Sequence, residues 1–286
     1  MAMEDFLPEF KILSKLKTAQ YVKNTKYIVS IDEVGRGALA GPVVVGAVLW
    51  LLSSEDCQSF KLMFKVKDSK KLTKIRRQEL FKEASKDIKN RLPSNKETFD
   101  ALQKNKAFID SVTLTPPKNF YTIPKDFFLQ TDSLDRHSLK ALHFSVQLSS
   151  QYEIDEINIL NATCLAASRA IKELSLSFPL SHSNTVVLLD GNQVFRLEKV
   201  FQDYLQVLVT KGDSLLKTIG LSSILAKVFR DGIMEKLHEE DSRFHFDKNV
   251  GYGTKEHCLV LKNGQSSSFH RRSFLRNFLD SKESLF

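Results

Sequence analysis

Two apolar runs joined by a glycine-rich turn constrain this chain most. Tyr27-Ile-Val-Ser-Ile-Asp32 is short, β-branched and almost wholly apolar, the pattern of a buried strand. Gly35, Gly37 and Gly41 follow, and Pro42 closes the turn. Val43-Val-Val-Gly-Ala-Val-Leu-Trp50 then reads as a second strand. A short turn makes the two strands antiparallel neighbours, and the acids Asp32 and Glu33 fall at the rim of their sheet.

The rest of the sequence supplies layers around that pair. Thr185-Val-Val-Leu-Leu-Asp190 and Leu205 to Thr210 are further buried strands, and another is expected around Ala141 to Val146. Helical spacing marks Phe10, Leu13, Leu16 and Tyr21, then Leu72, Ile75 and Leu80 up to about Lys86. A helix is expected from Asn161, as its cap, to about Leu176, and a long one over Leu215 to Glu240. Strands and helices interleave, which is the α/β class, and 42% hydrophobic residues suffice for a real core. Between about 85 and 138, Pro93, Pro116, Pro117 and Pro124 punctuate lysine- and phenylalanine-rich pieces with no clean period. This reads as an insertion, partly ordered because Phe120, Tyr121, Phe127 and Phe128 need somewhere to pack.

The 42 Lys and Arg outnumber 34 Asp and Glu, a net charge of +8 that suits a polyanionic partner without requiring one. Cys57, Cys164 and Cys258 lie far apart in an odd count, with neither a disulfide framework nor a zinc spacing, so a reducing compartment is expected. The first residues are acidic with no apolar stretch behind them, and the run Val43 to Leu52 is shorter than the roughly 20 residues that span a bilayer. A soluble, cytoplasmic protein is the expectation.

Acids recur at strand ends: Asp32 and Glu33, then Asp190, then Asp213 in Lys211-Gly-Asp-Ser. Strand ends at the rim are where open α/β folds place their sites. Carboxylates gathered there repel one another unless a cation sits among them, and oxygen ligands suit a hard divalent ion. The plainer reading makes each acid a cap or turn residue. The glycine turn has neither a Walker lysine nor a GxGxxG pattern; glycines flanking Arg36 let backbone approach a ligand beside a guanidinium, or simply form a tight hairpin. Asp68-Ser-Lys-Lys71 and His270-Arg-Arg-Ser273 add bases able to hold phosphates, or form solvated charge runs. Tyr252, between two glycines in Gly251-Tyr-Gly-Thr-Lys-Glu-His257, is expected to be exposed and able to stack on a sugar or base. His182, His245 and His257 show no ligand spacing and are read as structural or surface residues.

Ile31-Asp-Glu-Val-Gly-Arg-Gly-Ala-Leu-Ala-Gly-Pro-Val43 closely resembles the opening motif of the ribonuclease HII family. The match continues in order through Asp68-Ser-Lys-Lys-Leu72, Ile154 to Thr163, Leu189-Asp-Gly191, Lys211-Gly-Asp213, Ser223 to Asp231, Gly251 to His257 and His270 to Phe274. The resemblance implies a ribonuclease H-like fold, a five-stranded mixed sheet flanked by helices with a helical C-terminal part. It implies a helical extension over 1–26, a catalytic domain over 27–235 interrupted by the insertion, and a C-terminal helical region and tail over 236–286. It implies hydrolysis of the RNA strand of RNA–DNA hybrids and incision 5′ to single ribonucleotides in duplex DNA, leaving a 3′-hydroxyl and a 5′-phosphate.

By position, the resemblance makes Asp32, Glu33, Asp190 and Asp213 the catalytic, metal-binding carboxylates of a two-metal Mg²⁺ or Mn²⁺ site. Gly35, Arg36 and Gly37 would contact the ribose 2′-hydroxyl, Ser69 and Lys70 the substrate, and Tyr252 the RNA-to-DNA junction. A monomer is expected, and the tail Glu283-Ser-Leu-Phe286 is similar to short tails that dock on bacterial sliding clamps, against the plainer reading of a frayed end. Two rival readings are a non-catalytic nucleic-acid-binding protein, which predicts a lost carboxylate, and a structure-selective DNA nuclease, which leaves the Gly35–Gly37 turn and Tyr252 unexplained.

Overall fold

The computed structural model describes residues 7–18, 24–53, 66, 69–92, 102, 113–123 and 138–276. Phe127, Phe128, Tyr21, Asp68 and the tail at 283–286 lie outside the described residues, as does the side chain of Lys70.

The hairpin forms as expected: β1 (Tyr27–Val34) pairs antiparallel with β2 (Val43–Ser53). Helix α1 (Leu7–Thr18) precedes them. After β2 come α2 (Lys74–Asp87), the short strands β3 (Lys89–Arg91), β4 (Leu114–Thr115) and β5 (Phe120–Thr122), and β6 (Ser138–Ser149). Then follow α3 (Gln151–Ser175), β7 (Thr185–Asp190), β8 (Leu197–Glu198), β9 (Leu205–Val209), α4 (Gly212–Leu215), α5 (Lys217–Glu240), α6 (Phe246–Asn249) and α7 (Lys255–Lys262). The main sheet runs β3-β6-β2-β1-β7-β9-β5. Its five central strands are those expected; β3 and β5, contributed by the insertion, pair parallel with β6 and β9 and widen the sheet to seven.

The two faces of β1 divide the core. Ile28 and Ser30 face α5, while Val29 and Ile31 face α3, because strand side chains alternate. Gly46 of β2 brings α5 closest: a Cβ there would lie 2.3 Å from the Ser222 carbonyl oxygen. Behind it Ser30 Oγ donates to the Thr218 carbonyl at 2.9 Å, pairs with Ser222 Oγ at 2.9 Å, and accepts from Trp50 Nε1 at 2.9 Å. No helix among the described residues is long and apolar enough to cross a membrane.

Two helices differ from expectation. The helix expected from Asn161 begins at Gln151 behind a Ser150–Glu153 capping box and breaks at Asn158, whose φ is +66°. Asn158 Oδ1 accepts the N–H groups of Leu160 and Asn161 at 3.0 and 3.1 Å, so Asn158 caps the second stretch and Asn161 only donates to it. The long helix expected over Leu215 to Glu240 forms as α5 with its whole apolar stripe but starts at Lys217, because Leu216, whose ψ of 123° is extended, parts it from Leu215 at the end of α4.

Helix α1 buries Ile12, Leu13 and Leu16, and its Glu9 is 1% exposed. Glu9 Oε1 accepts the Thr218 N–H at 3.0 Å and its hydroxyl at 3.2 Å, capping the start of α5. Burial pushes the Glu9 carboxyl up to about 7, against those hydrogen bonds. A carboxyl raised on folding keeps its proton while the unfolded chain has lost it, so stability falls as pH rises from the ordinary 4.5 to about 7. Glu9→Gln removes that component, roughly 3 kcal/mol across the window. Urea melts of both proteins at pH 5 and pH 8 check this; equal pH dependence in the two would overturn it.

Candidate active site

The parallel pairing of β1 with β7 and of β7 with β9 brings three acids to one rim. Asp32 ends the buried part of β1, Asp190 ends β7, and Asp213 lies in the first turn of α4 just beyond β9. One carboxylate oxygen from each falls within 4.8 Å of the others, close enough to share a cation. Lys211 takes a left-handed φ of +60° to start α4, and the Gly212 N–H donates to Asp190 Oδ1 at 2.6 Å. Asp32 and Asp213 are both 6% exposed.

Glu33 does not join that group. It follows Asp32 by one residue, so strand alternation sends its side chain to the other face, where Oε1 accepts from Arg36 Nη1 at 3.0 Å. Arg36 also donates to Gln193 Oε1 at 3.2 Å. The four expected carboxylates are therefore three converging and one tethered beside them. Burial, then the charges of Glu33 and Asp190, hold the Asp32 carboxyl well above its ordinary range, opposed by the Ser223 hydroxyl and the Glu33 N–H. Burial also raises Glu33, with Arg36 pulling it back. Carboxyls raised by mutual repulsion at an all-oxygen site match a divalent cation, which reverses that repulsion.

Ser69 sits in a 3₁₀ turn (Ser69–Lys71) with its side chain buried, not presented to solvent. Its hydroxyl pairs with Ser223 Oγ at 2.8 Å, and Ser223 in turn bonds Asp32, so Ser69 backs the acid from inside. Lys70 lies in the same turn. Arg77 fixes the turn by donating to the Ser69 carbonyl at 3.0 Å.

The glycine turn is held by two fully buried arginines. Arg271 donates to the carbonyls of Gly35, Arg36 and Gly41 at 2.7, 2.9 and 2.9 Å. Arg230 donates to those of Pro42, Val250 and Ala40 at 2.9, 2.8 and 3.2 Å. Burial, with Arg230 adding to it, lowers Arg271 to about 9. Gly35 is required here: its φ is +92°, and a Cβ would meet Arg230 Nε at 2.2 Å. His270 and Arg271, expected to hold phosphates or form a solvated run, do neither; they are buried because the segment Phe269–Arg271 bonds to Leu39–Gly41 of the turn.

Tyr252 is exposed, as expected. Its ring comes within 4.0 Å of where a Gly37 Cβ would stand, and the Arg230 guanidinium lies 5.6 Å from its centroid. Turn and tyrosine thus lie close together, on the turn that follows Asp32 and Glu33. Sequence reasoning missed Ser223, Arg230 and Arg271 as parts of this site. The seven-residue interval from Ser223 to Arg230, two helical turns, places them on one face of α5 and was the available signal.

A sequence model described as Ribonuclease HII matches residues 29–99 and 92–277. The chain is 31% identical to a ribonuclease HII of Fusobacterium nucleatum over 90% of each chain. It is 32% identical to one of Pelagibacter ubique, over 87% of this chain and 96% of the relative. Among solved structures, the ribonuclease HII of Archaeoglobus fulgidus, determined with PCNA, shares the fold at a TM-score of 0.51 and 22% identity, over 86% of this chain and 93% of that one. With converging strand-end acids, a family model that spans nearly the whole chain and relatives of matching length, the chain belongs to the ribonuclease HII family of ribonuclease H enzymes.

Proposed function

We propose that this ribonuclease H hydrolyses the RNA strand of RNA–DNA hybrids and incises 5′ to single ribonucleotides in duplex DNA, leaving a 3′-hydroxyl and a 5′-phosphate. The observation that carries the reading is the convergence of Asp32, Asp190 and Asp213, with the turn after Asp32 bringing Gly37 close to the exposed Tyr252 ring. Those three aspartates would hold Mg²⁺ or Mn²⁺, with Glu33 as the fourth ligand once Arg36 releases it. A bound divalent ion supplies Lewis-acid stabilisation of the phosphate's charge and eases deprotonation of water.

The chain's own residues orient and select. Ser223, backed by Ser69, fixes the Asp32 carboxylate. The carbonyls of Gly35 and Arg36 are engaged from inside by Arg271, which leaves the turn's outer surface, Arg36 and Gly37, for the ribose 2′-hydroxyl and adjoining backbone. A glycine at 37 leaves the backbone bare for the sugar beside the tyrosine ring, which stands 4.0 Å from where a Cβ would be. Tyr252 packs on the next deoxyribose and so selects an RNA-to-DNA junction. Lys70 contacts a phosphate, with Ser69 offering backbone only.

Labelled duplex DNA with one ribonucleotide, beside an all-DNA control, tests this. Incision just 5′ of the ribonucleotide that needs divalent metal, with at least about a 10³-fold loss in Asp190→Asn, is expected. Retained binding without cleavage would mean a non-catalytic binding protein, and cut control DNA a DNA nuclease. Tyr252→Ala lowers the preference for a single ribonucleotide over a long hybrid by about tenfold, within the 1–3 kcal/mol of a lost stacking contact; an unchanged preference refutes its role. A sliding clamp is the proposed protein partner of the monomer, on the tail sequence Glu283–Phe286 and on the Archaeoglobus relative solved with PCNA. Clamp pull-down by the full chain should be lost on removing Leu285 and Phe286, and equal capture without them sinks it.

A further inference from the structure

Tyr252 is tied to the glycine turn through two buried histidines that the chemistry does not use. His257 is 0% exposed and His270 3% exposed, and their Nε2 atoms lie 2.9 Å apart. The Ser267 N–H points at His270 Nδ1 at 3.0 Å. A backbone N–H can only donate, so His270 Nδ1 is bare and the ring proton sits on Nε2. That proton goes to His257 Nε2, which must be bare in turn. His257 then carries its proton on Nδ1 and donates it to the Tyr252 carbonyl at 2.9 Å. Every polar atom of both rings is used in one sense only. Burial lowers both histidines, His270 to about 4, so both stay neutral. The rings of Phe244 and Phe246 pack against them, with centroids 4.6 Å from His270 and 5.6 Å from His257.

The other end of this relay is the turn itself. His270 bridges Ala40, and its neighbours exchange backbone hydrogen bonds with the turn: the Gly41 N–H with the Phe269 carbonyl at 2.9 Å, and the Arg271 N–H with the Leu39 carbonyl at 2.9 Å. Turn, His270, His257 and Tyr252 therefore form one hydrogen-bonded path.

We propose that His257 and His270 are positioning residues that fix where Tyr252 stands relative to Gly37 of the turn, and so the selection of a ribonucleotide junction. The inference rests on Tyr252 being the junction-sensing group. The Leu39 and Ala40 N–H groups of the turn also donate directly to the Gly251 carbonyl, at 2.8 and 3.2 Å, so the histidines act on the next residue, holding the Tyr252 carbonyl itself.

Imidazole ¹⁵N spectra of the wild-type protein test the geometry without any variant: His257 should show the Nδ1–H form and His270 the Nε2–H form. The reverse assignment overturns the proposal. Two variants test its consequence. His257→Asn keeps an N–H where Nδ1 stands, facing the Tyr252 carbonyl, whereas His257→Gln extends its amide towards His270 and abandons that carbonyl. The kcat/KM ratio of the single-ribonucleotide duplex to a long hybrid should fall about tenfold in His257→Gln, mainly through KM, and about threefold or less in His257→Asn. Equal losses in the two, or none in His257→Gln, overturn the proposal, and melting curves of both show that each is folded. If Tyr252→Ala itself leaves the ratio unchanged, the reading of Tyr252 has failed; if Tyr252→Ala lowers it and His257→Gln does not, the histidines have.

Discussion

Helix α5 can serve this site only because it lies almost against the backbone of β2, and Gly46 is what allows it. Sheet and helix meet where any side chain would collide with the Ser222 carbonyl. From that contact the same helix face reaches everything that matters. Ser222 joins the Ser30 network, Ser223 reaches Asp32, and two turns later Arg230 reaches the glycine turn. At its start Thr218 is capped by Glu9 from the N-terminal helix. An outward shift of α5 by the width of a methyl group would loosen acid, turn and tyrosine together.

The charge distribution has a logic of its own. Among the described residues no carboxylate pairs with the buried Arg230 and Arg271, whose hydrogen bonds go to carbonyls. Carbonyl dipoles satisfy the donors yet leave the net charge intact, where carboxylates would have cancelled it. Two fixed positive charges thus lie beneath the glycine turn. At the strand ends, three aspartates converge closely enough to share a cation.

The strands were legible because β-branched runs ending in acids have few other uses, and the order of the motifs singled out Asp32, Asp190 and Asp213 without any knowledge of the fold. Other features were not legible, for identifiable reasons. Strands β3 and β5 have three residues each, below the length at which a period of two can be read. The break at Asn158 depends on an asparagine taking a left-handed conformation and capping the helical stretch after it, a choice local composition does not reveal. His270 and Arg271 read as surface bases because a charged run is usually solvated; their burial comes from pairing with a turn more than two hundred residues earlier. Glu33 was set with the other acids by its position in the family motif, and in the fold it pairs with Arg36 beside them, a partner that spacing alone does not reveal.

Trp50 is the chain's single tryptophan, and it is fully buried with its indole N–H on Ser30 Oγ, the atom that also touches Ser222. The enzyme therefore carries one indole, excitable apart from its six tyrosines, sited at the seam between sheet and helix and two strand positions from Asp32 through Ser30. Its emission has a single origin, free of the averaging that several indoles impose. Colour and quenching of that light measure how tightly the seam is closed, so events at the acids can be followed optically with no label added.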